Sequence, residues 1–246
     1  PEYFQRLKKI ADKYGLILID DEIQSGVGRT GRWFAIEHWK VEPDIICVAK
    51  AIASGLPLGV TVARSRLMDW ERGSHASTFG GNPLACVAAL AVIDVIKEEK
   101  LLENAEKQGN YIMKRLQDLK EECEIVGDVR GKGLMIGAEI VEDKETKSPG
   151  VDKAGEITLR CWKRGIAIIT CGASTLRIAP PLTITKELVD AGLEIVEDVI
   201  KEVEKEKILE KISNGEIKIL IGTHALIQEK VEFKNFKLNI LPACSE

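Results

Sequence analysis

At 246 residues, with 45% apolar and 30% charged side chains, the chain is long enough for one or two domains and too apolar to be disordered. Its net charge of −4, with both signs mixed, offers no basic face for nucleic acid, and no apolar run reaches the roughly 18 residues that a membrane helix needs. The six cysteines (Cys47, Cys86, Cys123, Cys161, Cys171 and Cys244) form neither a CxxC pair nor a Cys/His cluster. Reduced, buried thiols in a cytoplasmic protein without a metal site are therefore expected.

The sequence opens at Pro1, and residues 1–14 read as a helix whose apolar stripe is Phe4, Leu7, Ile10, Ala11 and Tyr14, with Gly15 as its stop. A helix that feeds a strand at once suggests the interior of an α/β domain, with further sequence upstream. Strands are expected at 16–20, 45–49 and 59–63. Asn82-Pro83 then opens a long helix, since Asn caps well and Pro suits the first turn. Leu84, Val87, Ala88, Ala91, Val92 and Val95 are its expected buried face. This alternation predicts a largely parallel sheet covered by helices over residues 1–96.

From residue 97 the texture changes to a charged amphipathic helix carrying Leu101, Leu102, Ala105, Ile112, Leu116 and Leu119. Short strands follow at 124–126, 134–140, 166–170 and 176–178, and a helix runs from Thr185 to about residue 206. Residues 97–207 thus predict a smaller α+β domain. Beyond 208 the pattern changes again: Ser213-Asn214-Gly215 stops a helix, and Ile217, Ile219 and Ile221 alternate as a strand.

The chemistry sits at two strand ends. The first strand ends in Asp20-Asp21-Glu22 and the second in Lys50. A carboxylate and an amine at the ends of two buried strands can face one small molecule. Pyridoxal phosphate (PLP) chemistry needs that pair: an amine to carry the aldehyde as a Schiff base, and an anion to keep the pyridine nitrogen protonated. Strand side chains alternate, so one aspartate faces the site, while Asp20 and Glu22 are expected to be solvated at the strand end. Lys50 must be neutral to act as a nucleophile, and burial near cations would favour that form. Thr78, just before Gly80-Gly81, suits a phosphate that backbone amides approach closely. Arg177, in a short strand before Pro180-Pro181, suits bidentate binding of a carboxylate. Gly26, Gly28 and Gly31 read as turn glycines, and His38, His75 and His224 lack metal-like spacing.

Residues 3–206 resemble the class III PLP-dependent aminotransferases, the group holding ornithine, acetylornithine and 4-aminobutyrate aminotransferases. Seven motifs in order carry the resemblance: Asp21-Glu22-Ile23-Gln24, Gly28-Arg29-Thr30-Gly31, Pro43-Asp44-Ile45, Ala49-Lys50-Ala51, Ser77-Thr78-Phe79-Gly80-Gly81-Asn82-Pro83, Val129-Arg130-Gly131-Lys132-Gly133-Leu134 and Arg177-Ile178-Ala179-Pro180-Pro181-Leu182. The resemblance implies the α/β PLP-dependent transferase fold of type I, with 1–96 as the C-terminal part of the large domain and 97–207 as the small one. It implies that Lys50 holds the cofactor and shuttles the proton at substrate Cα, and that Asp21 pairs with the pyridine nitrogen. Gln24 would contact the ring's phenolic oxygen, Thr78 the cofactor phosphate across a homodimer interface, and Arg177 the substrate carboxylate. The implied reaction passes an amino group from an amino acid or ω-amine to a 2-oxo acid. An amino-acid racemase on the same scaffold is the runner-up, and an inactive fragment or fusion product the third reading. The family's phosphate-binding turn and ring-stacking aromatic lie upstream of the matching strand, so this chain alone is expected to bind PLP weakly.

Two stretches resemble a different class, the nucleotide-driven enzymes. Leu16 to Glu22 also resembles a Walker B strand, and 221–228 (Ile221-Gly222-Thr223-His224-Ala225-Leu226-Ile227-Gln228) resembles a segment of RecG-type DNA helicases. Yet no GxxxxGK[ST] loop is present, and Gly131-Lys132-Gly133 has the wrong spacing. Residues 208–246 are therefore expected to be a foreign tail that packs poorly on an aminotransferase body, with no nucleic-acid partner.

Overall fold

The computed structural model describes residues 2–74 and 77–216. The strand expected at 217–221, the helicase-like stretch and the packing of the tail beyond 216 lie outside the described residues.

Helix α1 (Tyr3–Tyr14) stops where its sequence says: Gly15 takes a φ of 64°, and its N–H caps Ala11 and Asp12. Strand β1 (Ile19–Asp21) begins later than position 16, because Ala11 already takes the Leu16 N–H and the Asp44 carboxylate takes that of Leu18. Strands β2 (Ile45–Val48) and β3 (Val60–Ala63) complete a sheet of order β1-β2-β3. The β1–β2 pair is parallel, but β2–β3 is antiparallel, so the largely parallel sheet holds for one pair only. Residues 49–59 are too few for the helical crossover of a dozen or more residues that a parallel return requires. Asp44, from the Pro-Asp-Ile motif, stitches this region together. It is buried, accepts the Leu18 N–H, and pairs with Lys8 of α1 and with Arg64 after β3. The Leu18 N–H, and the two cations after it, hold its carboxyl below the usual aspartate range.

Helix α2 (Pro83–Glu98) opens as expected, with the Asn82 side chain accepting the N–H groups of Leu84 and Ala85. Its buried face differs from expectation. Ala85, Ala89 and Ile96 are buried, while Leu84, Val87 and Val95 are exposed. The helix is apolar on nearly every side, so its pattern names no unique inner face. The small alanines let it approach the short turn that follows β2.

Lys100, with φ 52°, joins α2 to helix α3 (Leu101–Glu122). Here Leu101, Ala105, Ile112, Leu116 and Leu119 are buried, as their spacing requires. Strands β4 (Val126–Lys132), β5 (Met135–Ile140), β6 (Ile169–Cys171) and β7 (Thr175–Ile178) form an antiparallel sheet of order β4-β5-β7-β6. Along β5, buried Ile136, Ala138 and Ile140 alternate with half-buried residues, the mark of a sheet covered on one face. That face shares its core with α3, helix α4 (Val151–Lys163) and helix α5 (Lys186–Ser213). α5 continues past 206 because Val203 and Ile212 still reach buried positions, and Gly215, at φ 82°, follows its end. Among the described residues, no helix is long and apolar enough to cross a membrane.

One close contact fixes how α3 meets the second sheet. A Cβ on Gly109 would lie 2.1 Å from the carbonyl oxygen of Gly133, in the β4–β5 turn. Gly109→Ala is therefore expected to lower stability by about 2 kcal/mol, since two backbones must part. A urea midpoint equal to wild type would contradict this.

Candidate active site

Parallel pairing sets the carboxyl ends of β1 and β2 side by side, with Asp21 opposite Cys47 in register. Asp21 closes β1, is exposed, and accepts the Ile23 N–H on Oδ1 at 3.0 Å, which pins the carboxylate at the strand end. Lys50 begins a single 3-10 turn (Lys50–Ala53) just beyond β2. Its φ of 50° is left-handed, a conformation that costs a side chain about 1 kcal/mol or more and recurs at functional positions. Lys50 is exposed rather than buried, and its amine has no ion pair or hydrogen bond among the described residues.

Gln24 lies exposed in the turn after β1, Thr78 lies exposed just ahead of α2, and Arg177 is half-buried on β7. Among the described residues, no hydrogen bond or ion pair joins any two of the five candidates. Asp21 and Lys50 share one sheet edge with Gln24 close in sequence, whereas Thr78 and Arg177 stand on other elements.

The neighbouring acids are not solvated, contrary to expectation. Glu22 is 1% exposed and accepts Ser25 Oγ at 2.5 Å and the Ile36 N–H at 2.9 Å. Asp20 is half-buried, and its Oδ2 is buried without a hydrogen-bond partner among the described residues. Burial, then the negative charge of Glu22, pushes the Asp20 carboxyl up to about 7. The turn after β1 folds back over Glu22, and this tertiary cover has no signature in an Asp-Asp-Glu run. Asp21, on the opposite face of the strand, stays open.

Arg29 also belongs to the site region, although nothing in the Gly28-Arg29-Thr30-Gly31 motif marks it as functional. The turn over residues 26–31 crosses to the second sheet, where the Arg29 carbonyl accepts the Leu134 N–H at 3.0 Å. The Arg29 guanidinium donates to the carbonyls of Leu134, at 3.4 Å, and Pro180. Gly131-Lys132-Gly133 lies where β4 turns into β5, with no helix behind it to cradle a nucleotide phosphate. An apolar cavity of about 470 Å³ lies between β7 and α5, lined by Ile112, Ile168, Leu188 and Leu193 among others. Arg177 is among the residues at the wall of this cavity, although alternation with the buried Leu176 and Ile178 sets its side chain on the other face of β7.

The family model described as aminotransferase class-III matches residues 1–200. The chain belongs to the class-III aminotransferase family. It has the α/β fold of the type I PLP-dependent transferases, and superposes on a Bacillus anthracis aminotransferase with a TM-score of 0.77 at 35% identity, over 82% of this chain and 48% of that one. Among class-III relatives, it is 50% identical over 208 residues to the leucine/methionine racemase of Thermococcus litoralis, covering 84% of this chain and 47% of that protein. It is 48% identical over 197 residues to the acetylornithine aminotransferase of Methanosarcina mazei, covering 80% and 47%. The chain thus spans about half the length of the curated class-III relatives it matches.

Proposed function

We propose that this chain forms part of a PLP-dependent aminotransferase that moves an amino group from an amino acid or ω-amine to a 2-oxo acid. The observation that carries this reading is the parallel β1–β2 pair, with Asp21 at one strand end and, just past the other, the Lys50 amine, which has no partner among the described residues. These residues fit PLP, because an accessible amine and an accessible carboxylate are what its aldehyde and ring nitrogen require. In this reading residues 1–96 belong to the large domain and 97–207 form the small one. The free thiols of Cys47, Cys86, Cys123, Cys161 and Cys171 support a cytoplasmic setting, although only Cys123 and Cys161 are buried and Cys86 and Cys171 are exposed, contrary to expectation.

When bound, PLP supplies an electron sink that lets the Cα–H bond of the substrate break. Lys50, as the neutral amine, takes that proton from Cα. Asp21 keeps the proton on the ring nitrogen, and opposite unit charges at contact interact by about 4 kcal/mol at an effective dielectric near 20. Gln24 would hold the ring's phenolic oxygen, and Arg177 the substrate carboxylate, through two parallel N–H donors. Thr78 would hold a phosphate across a subunit boundary, which makes a homodimer the working unit. Lys50 and Asp21 are exposed and β1 is an edge strand, so the isolated chain is expected to hold PLP weakly. Cofactor titration followed by visible absorbance checks this, and stoichiometric uptake at equimolar PLP would contradict it.

The identity to the racemase of Thermococcus litoralis favours a second reading, in which the proton returns to Cα on the opposite face. One enantiomer of an amino acid, incubated with active protein at saturating PLP and no 2-oxo acid, separates the two. The aminotransferase reading predicts retained optical rotation, and its steady loss would support the racemase.

A further inference from the structure

We propose that Arg29 is the positioning residue for Arg177, and that the turn over residues 26–31 is a clasp that keeps the Arg177 guanidinium free for a ligand carboxylate. This rests on the reading of Arg177 as the substrate-carboxylate residue, and adds to it a second arginine with a distinct task.

The clasp has only one seat. Val27 is buried and β-branched yet takes a φ of 56°, a strained conformation that persists where surrounding structure dictates it. Gly28 and Gly31 also have positive φ, and a Cβ on Gly28 would lie 3.0 Å from Leu102 and 3.1 Å from Leu182. A Cβ on Gly133 would lie 2.4 Å from the carbonyl carbon of Thr30. The turn is thus wedged between the two sheets with little freedom to slide. From this seat Arg29 binds the start of β5 twice, through Leu134, and the exit of β7 through the carbonyl of Pro180. Pro180 lies three residues beyond Arg177, so the clasp fixes the strand that carries it.

The charges around Arg177 are arranged to match. Arg130, Gly137 and Arg177 lie in one row across β4, β5 and β7. Arg130 is neutralised by Asp128 at 2.9 Å and Glu139 at 2.6 Å. Gly137 carries no side chain, leaving the row open between the two arginines. On the neighbouring turn, Arg32 faces Glu106 at 3.9 Å, and Lys132 lies over the Trp39 ring. Arg29 and Arg177 form no ion pair with a carboxylate among the described residues, so no protein acid occupies the place of a ligand. Burial, and then the nearby charge of Arg177, holds Arg29 below the usual arginine range. Arg29 is held on backbone carbonyls, and its charge beside Arg177 is offset by no protein acid among the described residues, a costly arrangement unless Arg177 takes an anion. A planar carboxylate matches the donor geometry of Arg177.

The test uses the full chain and glutarate, a simple dicarboxylate, titrated calorimetrically at low ionic strength, with thermal melting in parallel. Arg177→Met is expected to abolish glutarate binding. Arg29→Met is expected to weaken it about tenfold, and Arg29→Lys, which keeps the charge and one donor, about threefold. If Arg29→Met fails to fold, Arg29→Lys decides alone. A lowered melting midpoint in either Arg29 variant, with glutarate affinity equal to wild type, would make Arg29 merely structural and overturn the proposal. Absence of glutarate binding in the wild type, or binding unchanged by Arg177→Met, would instead remove the carboxylate reading of Arg177 on which the proposal stands.

Discussion

Replacing Lys50 with alanine should lower kcat for amino transfer by about 10⁴-fold or more in any active form of this protein, because one side chain supplies both the cofactor's attachment and the proton carrier at Cα. The structure isolates that role. Lys50 has no ion pair or hydrogen bond among the described residues, so its loss breaks no network that supports the fold. The melting midpoint should therefore stay near wild type, and it should rise if the left-handed strain at position 50 is relieved by Lys50→Gly. Small primary amines added to Lys50→Ala should restore part of the turnover, since they replace the missing proton carrier. Steady-state kinetics of the alanine variant checks the claim. A kcat within tenfold of wild type would show that another group moves the proton.

The second large effect concerns stability and pH. Asp20 titrates near 3.8 when unfolded and at about 7 in the native chain, where burial and the charge of Glu22 oppose its ionisation. The native state therefore holds the proton more tightly. The favourable contribution is complete below pH 3.8, and it is lost as pH rises through about 7. Over that window, the two values bound the loss of stability at on the order of 4 kcal/mol, and solvent screening of this half-buried carboxyl reduces it. Asp20→Asn keeps the shape and removes the charge, so its urea midpoint should exceed wild type at pH 8 and approach it at pH 5. Parallel pH profiles for the two proteins would contradict the burial of this acid.

Both predictions lie within a few residues of a sheet edge, yet only one was legible in the sequence. Lys50 and Asp21 end apolar runs, and the rule that such runs become strands is enough to put them at strand ends. The Asn82 cap, the Gly15 stop and the face of α3 were legible for the same reason, because short-range chemistry dictates each. Asp20 and Glu22 were not, since their burial depends on Ser25 and the N–H of Ile36 folding over them. The inner face of α2 was lost because a helix that is apolar all round satisfies several packings equally. The antiparallel β2–β3 pair does not show in the alternation of elements, and only the length of residues 49–59, short of a crossover, points to it. Arg29 stands within a motif, but its partners, the carbonyls of Leu134 and Pro180, come from remote segments that no local spacing reveals.

The exposed apolar side chains have the same origin. Leu16, Ile17 and Ile19 were expected inside the sheet, yet they are exposed, as are Leu84 and Leu90 on α2. A strand at a sheet edge meets water on its open side unless another chain segment covers it. This chain covers 47% of the length of each of the two curated relatives described above.

A crystal structure of the protein soaked with PLP tests the central claim most directly. The account predicts continuous density between Lys50 Nζ and the cofactor, with a carboxylate oxygen of Asp21 about 3 Å from the ring nitrogen. Cofactor density at another lysine, or an Asp21 carboxylate turned away from the ring, would contradict it.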